Sequence, residues 1–190
     1  MNLILAFISN ASEFWKRFWE IATTNMIATP YVAAINKGDH IMKAAELPTL
    51  VGRELEVSSL LEITQERVNQ FADVTNDHQF IHVDPERAAK TPFQGTIAHG
   101  FLILSLISYL TAEKVIQPEG LIMGINYGSD KVRFLQPVRM GQRIRAHQKV
   151  LEVTEKSETT WLFKTLVTIE IENSEKPALI AEFLAMYIVK

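Results

Sequence analysis

The stretch FLILSLISYLTAEKV, residues 101–115, is apolar on nearly every side of a helical wheel. Such a helix persists in water only when other parts of the chain cover it from several directions. The cover is encoded directly afterwards. Four runs follow Gly120: LIMGINYGSDKVRFLQPV, RIRAHQKVLEVTE, TTWLFKTLVTIEIEN and ALIAEFLAMYIVK. They are rich in β-branched and aromatic residues and are parted by turn signals at Pro137 to Gly141, Ser157-Glu158 and Asn173 to Pro177. Long strands joined by short turns pair antiparallel. One buried helix and several long antiparallel strands predict an α+β domain, with the sheet wrapped around the helix.

With 190 residues, 47% of them hydrophobic, the chain has material for one ordinary domain plus an extension. It contains no internal repeat and no low-complexity tract. Nineteen basic against 22 acidic side chains give a net charge of −3, which leaves no basic face to neutralise phosphates and argues against nucleic acid as a partner. Cysteine is absent, removing disulfides, thiolate nucleophiles and Cys-rich zinc sites, and a cytoplasmic location is expected.

Residues 1–47 read as an appended segment and 48–190 as the domain. In residues 1–22, Leu3, Ile4, Phe7, Ile8, Ala11, Phe14, Trp15, Phe18 and Ile21 recur at helical spacing, opposite Asn10, Glu13, Lys16, Arg17 and Glu20. Two uses are open to such an amphipathic helix: packing on the domain or on a partner protein, and attachment to a lipid surface. The mixed Glu and Lys of its polar side favour packing. No basic residue precedes the apolar run Leu3 to Ile8, so a signal peptide is not expected, and no apolar stretch reaches the roughly 20 residues of a membrane span. A second helix is predicted over residues 31–45, with Pro48 marking a boundary.

Beyond Leu50, RELEVSS is a strand candidate, and TQERVNQFADVT a helix with Thr64 as N-cap and Val68, Phe71 and Ala72 on one face. A loop, TNDHQFIHVDPERAA, then gathers Asp77, His78, His82 and Asp84 around the apolar pair Phe80-Ile81. Charges beside apolar groups are costly to bury unless something pairs or uses them. Asp84-Pro85 has the form of a helix start, an N-cap followed by proline. Asp77 reads as either a turn cap or a functional carboxylate, and His82 as a satisfied loop histidine or a reactive one. His78 and His82, four apart, would share a helix face as zinc ligands do, yet no third ligand completes a shell, so no metal is expected. His40 and His147 stand alone.

Asp77 followed five residues later by His82, the Ala88-Ala89 pair, the loop TPFQGTIAHG with its His99-Gly100, and PVRMGQ downstream form one spaced pattern. From about Leu50 to Lys190 that pattern resembles the MaoC-like dehydratases, the (R)-specific enoyl-CoA hydratases, and within them the nodulation protein N-like branch. The resemblance implies a hot-dog fold, in which an antiparallel sheet wraps a central helix, and implies that PVRMGQ forms a hairpin between later strands. It also implies Asp77 and His82 as the catalytic dyad, with Gly100, Ser108 and Gln79 at the substrate and no cofactor. Where family members carry Gly, Asn and Pro around the dyad, this chain carries Asn76, Gln79 and Phe80.

Hydration of a 2-enoyl thioester needs an activated water, a proton for Cα and stabilisation of charge on the thioester oxygen. Asp77 and His82 would hold the water between them; which of them is the base stays open at this stage. Gly100, opening an apolar helix, offers a first-turn N–H to the oxyanion. Ser108, two turns on, reads equally as a small residue bonded back to a carbonyl; His99 reads as a residue orienting the loop. The expected substrate is an acyl-CoA or acyl-carrier-protein thioester, and a homodimer is expected because one sheet around one helix leaves an edge and apolar surface uncovered. Two other functions share the fold: a non-catalytic acyl-binding or scaffold protein docked through residues 1–22, and a thioesterase.

Overall fold

The computed structural model describes residues 41–112 and 114–190. The amphipathic helix expected in residues 1–22, its docking role and His40 lie outside the described residues. No described helix is long and apolar enough to cross a membrane. Where the helix predicted over residues 31–45 reaches the described part, the structure corrects it. Ile41–Met42 form strand β1, and Ala44–Leu50 form a 3-10 helix with Pro48 inside it. Tertiary burial decides this conformation: Leu47 and Leu50 are wholly buried in a cluster with Val150, Trp161, Phe163 and Val189.

The main sheet has five strands: β2 (Leu61–Glu62), β4 (Leu121–Phe134), β5 (Arg143–Ser157), β6 (Thr160–Ile171) and β7 (Leu179–Val189). β3 (Gln117–Pro118) pairs with β1 in parallel, apart from that sheet. All neighbours in the main sheet are antiparallel, in the order β2-β5-β6-β7-β4. The four long runs after Gly120 are therefore strands, as their patterning predicts. Alternation directs Ile144, Ala146 and Val150 of β5 and Trp161, Phe163, Val167, Ile169 and Ile171 of β6 inward. The opposite face carries cross-strand ion pairs, Arg143–Glu172 and Arg145–Glu170. Arg145 and His147 converge on Glu170 and hold its carboxyl below the usual range against a smaller opposing effect of burial.

Two expectations about connections need correction. β4 pairs with β7 and not with β5, so PVRMGQ is no hairpin. It is a crossover from one side of the sheet to the other, anchored by buried Val138, whose carbonyl accepts from the Ala98 N–H at 2.8 Å. RELEVSS, likewise, is not a regular strand. It follows β5 through an isolated bridge, Glu54 to Lys149, and through main-chain bonds from Leu55 to Gln148 and from Ser58 to Ala146, while the Ser58 hydroxyl substitutes for a main-chain acceptor by taking the Ala146 N–H at 2.8 Å.

Helices α4 (Gly100–Ser105) and α5 (Ile107–Ala112) form the central helix. Leu106 between them keeps right-handed helical backbone, and the Leu106 and Leu110 N–H groups bond to Leu102 and Leu106, so the two segments run on as one. Leu102, Ile103, Leu106, Ile107 and Leu110 bury against the inner face of the sheet. The burial is one-sided within a single chain: Phe101 and Tyr109 remain 67% and 64% exposed.

Candidate active site

Helix α1 (Gln65–Thr75) sets the approach to the site. Thr64 caps it by accepting the Arg67 N–H, Val68 and Ala72 bury fully, and Asn76 ends it in the left-handed conformation at φ 56°. That turn throws the chain out of the helix and presents Asp77 beyond its end. The loop expected next contains a helical turn, α2 (Phe80–Val83), with His82 in it. A second turn, α3 (Pro85–Ala88), starts as the sequence predicts, the Asp84 carboxylate accepting the Arg87 N–H at 3.0 Å. Phe80 lies under the Arg87 guanidinium, 4.3 Å from the ring centre, and Ile81 accepts the Ile97 N–H through its carbonyl. The apolar pair thus anchors the turn while its polar neighbours face elsewhere.

His82 is 7% exposed, and its main-chain N–H donates to the Gln79 carbonyl at 2.9 Å. Its Nδ1 lies 2.7 Å from the Ile97 carbonyl oxygen. A carbonyl only accepts, so Nδ1 carries the hydrogen and the neutral ring holds its lone pair on Nε2. Burial, the largest influence, pushes the His82 imidazolium below the usual histidine range; His99 adds to this, while the Ile97 bond and Asp77 oppose it. The His82 carbonyl accepts from Gln65 Nε2 at 2.7 Å, and Gln65 Oε1 accepts from the Thr96 hydroxyl at 2.6 Å. Gln65 is a residue that sequence reading missed. Its position in the first turn of a predicted helix gave no sign of a partner 31 positions away.

His99 stacks on His82, ring centres 3.8 Å apart and planes at 28°. Its Nε2 lies 2.9 Å from the Asp77 main-chain carbonyl and 4.0 Å from the Asp77 carboxylate. The Asp77 side chain is 56% exposed. Nitrogen or oxygen atoms of Asp77, His82 and His99 all fall within 4.8 Å of one another. As a metal centre this trio is poorly disposed. Lone pairs lie in the imidazole planes, so stacked rings direct them side by side where a shared ion needs them to converge. His78 turns away and binds Asp73 at 2.9 Å, which separates the pair considered as zinc ligands.

A cleft of about 420 Å³ opens beside His82, lined by His82 and Gly100 and by apolar groups including Phe93, Phe101, Phe134 and Val138. Gly100 starts α4, and a Cβ built there would come within 3.0–3.1 Å of three ring atoms of Phe134. The cleft can run this close to the helix only because the side chain is missing. Of the remaining expected substrate residues, Gln79 is exposed at the N-terminal edge of α2 with no capping bond from its side chain. Ser108 does not line the cleft; its hydroxyl accepts from Asn126 Nδ2 at 2.9 Å, towards β4. The structure therefore brings Asp77, His82 and Gly100 together, adds His99, and leaves Gln79 and Ser108 outside.

A sequence model of the MaoC-like domain matches residues 46–171. The chain belongs to the MaoC-like dehydratase family. This MaoC-like chain is 44% identical to Nodulation protein N of Rhizobium meliloti over 148 residues, 77% of its own length and 92% of the relative's. It is equally 44% identical to 3-hydroxyacyl-thioester dehydratase Z of Mycobacterium tuberculosis, over 76% of its own length and 95% of the relative's. Among solved structures, R-hydratase PhaJ1 from Pseudomonas aeruginosa superposes with a TM-score of 0.58 at 28% identity, covering 74% of this chain and 83% of the other. The fold is accordingly the hot-dog fold, and hydratases and dehydratases are among the chain's relatives.

Proposed function

We propose that this protein is an acyl-thioester hydratase, interconverting 2-enoyl-CoA and (R)-3-hydroxyacyl-CoA, with Asp77 and His82 as its catalytic residues. The observation that carries the proposal is the buried His82, its Nδ1–H held by the Ile97 carbonyl, its ring lining an apolar cleft and a ring nitrogen within 4.8 Å of an Asp77 carboxylate oxygen. Neutral His82 is then the base. In hydration, Nε2 takes one proton from a water whose other hydrogen is accepted by the Asp77 carboxylate. The water oxygen bonds C3, the π electrons move towards C2 and the thioester oxygen, and the imidazolium returns the proton to C2. Hydrogen and hydroxyl thus reach one face of the double bond, and the reverse sequence is dehydration. The Gly100 N–H, ahead of any intrahelical partner, stabilises the transient enolate oxygen.

The test is hydration of short and medium 2-enoyl-CoA substrates, followed by loss of the enoyl-thioester absorbance. Asp77→Asn and His82→Ala, each checked for an intact thermal transition, are expected to lose about 10²–10⁴-fold in kcat. Turnover by both variants at the wild-type rate would overturn the assignment, and hydrolysis without hydration would point to a thioesterase. Failure of the wild type to convert any such thioester would leave the acyl-binding or scaffold reading.

The assembly we propose is a homodimer. β4 is a 14-residue edge strand with exposed Tyr127 and Phe134, and Phe101 and Tyr109 leave the helix partly uncovered. A second copy of this chain would supply both the strand and the apolar cover.

A further inference from the structure

The proposed mechanism uses Asp77 and His82 and leaves unexplained the residue that touches both. His99 is 3% exposed, deeper than either of them. It approaches the dyad in two ways. Its Nε2 donates to the Asp77 main-chain carbonyl at 2.9 Å, and its ring lies on the His82 ring at 3.8 Å, with Phe71 against it at 5.0 Å. Its Nδ1 is buried and has no hydrogen-bond partner among the described residues.

We propose that His99 is a positioning residue for the dyad: its Nε2–H holds the Asp77 main chain in place while its ring face fixes the plane of His82. The inference rests on the hydratase reading above. Asp77 needs such a hold because it follows a left-handed helix end and its side chain is largely in solvent, so its own contacts do little to fix it. His82, by contrast, is pinned along its ring edge by Ile97 and along its main chain by Gln65, and only its ring face is left to be set. His99 sits between these two requirements and supplies both. It is not among the residues lining the cleft, so its effect should fall on turnover and not on substrate affinity.

The placement has an electrostatic side. The titratable groups acting on His82 are Asp77, from the end of α1, and His99, from the start of α4; α1 otherwise presents uncharged Gln65 and Phe71. A second imidazole against the ring face disfavours an imidazolium at His82 and so keeps the proposed base unprotonated to lower pH.

Two substitutions separate the roles. His99→Gln retains an N–H able to reach the Asp77 carbonyl and removes the ring; His99→Phe retains a ring for stacking and removes the donor. For His99→Phe, kcat on a short 2-enoyl-CoA should fall about 10- to 100-fold with KM nearly unchanged, as for a reacting group displaced by a fraction of an ångström to 1 Å. His99→Gln should recover most of that loss. In both, the acid limb of the pH–rate profile should move to higher pH, as should the His82 ring titration followed by NMR without substrate. Wild-type kcat and an unmoved acid limb in both variants would overturn the proposal. So would a parallel rise in KM, which would place His99 in substrate binding. If the wild type hydrates no 2-enoyl-CoA, the hydratase reading fails by itself. The NMR titration then decides the placement of His99: a rise in both variants sustains it, and no movement overturns it.

Discussion

Gly100→Ala tests how closely the substrate must approach the central helix. The added Cβ would lie 3.0, 3.1 and 3.1 Å from ring atoms of Phe134. Relaxed carbon contacts sit near 3.5–4.0 Å, so the shortfall is about 0.5–1 Å. Backbone conformation is no obstacle, because Gly100 opens a right-handed helix and is not among the positive-φ glycines. Overpacking of this kind costs about 1–3 kcal/mol, and replacing glycine at a compatible site returns about 0.4–1 kcal/mol through the unfolded chain. Phe134 is 47% exposed, its ring edge-on to that of Phe101 with centres 5.6 Å apart, so it has solvent to swing into. The net destabilisation should be about 0–2.6 kcal/mol, a fall in Tm of a few degrees, roughly 2–4 °C per kcal/mol for a chain this size. Activity should suffer far more. In the proposed mechanism the methyl would crowd the thioester carbonyl away from the Gly100 N–H, and losing one such donor costs about 10²–10³-fold in kcat. The assays are differential scanning calorimetry and 2-enoyl-CoA hydration, run also on Phe134→Leu and on the double variant. Phe134→Leu removes the clash, so the double variant should regain the lost Tm yet remain slow. Full recovery of turnover in the double variant would refute direct obstruction, and a fully active Gly100→Ala would refute the close approach altogether.

Two further outcomes follow from the site and the sheet edge. His82 has a folded-state pKa lowered below its unfolded value near 6.5, so between those values the unfolded chain binds more protons. Its stabilising contribution is therefore complete above about pH 6.5 and is lost as pH falls through the lowered folded value. Urea unfolding measured from pH 7.5 downward should show stability decreasing across that window, and His82→Gln should flatten the slope; an unchanged slope would remove His82 as its source. Light scattering at micromolar concentration should give the mass of two chains, and a monomer would contradict the role proposed for β4.

The long strands were legible because runs of β-branched and aromatic residues bounded by turn residues are a local signal, and no tertiary partner needs to be known to read it. The same is true of Thr64 and Asp84, each of which caps a donor three positions ahead. What escaped reading was non-local. PVRMGQ has the composition of a tight turn, and only the preference of β4 for β7 over β5 makes it a crossover. RELEVSS alternates like a strand, but the Ser58 side chain replaces part of the ladder. In the site, the spacing of Asp77, His82 and Gly100 pointed to one constellation. The bonds of Gln65 to His82 and of His99 to Asp77 span 17 and 22 positions and leave no periodic trace.

The crossover also fixes the order in which the site can come into being. Within the sheet β4 has a single partner, β7, along a register running from Leu121 opposite Val189 to Phe134 opposite Leu179. Phe134, which closes the cleft over Gly100, is thus held by a strand that begins 45 residues later in the chain. During synthesis Asp77 and His82, the central helix and the hairpin of β5 and β6 can all emerge and fold while that wall is still unsupported. The cleft is completed only when β7 leaves the ribosome and docks between β6 and β4. Because such long-range pairing is slow, a nascent chain should acquire its buried histidine pair well before it acquires a place for substrate.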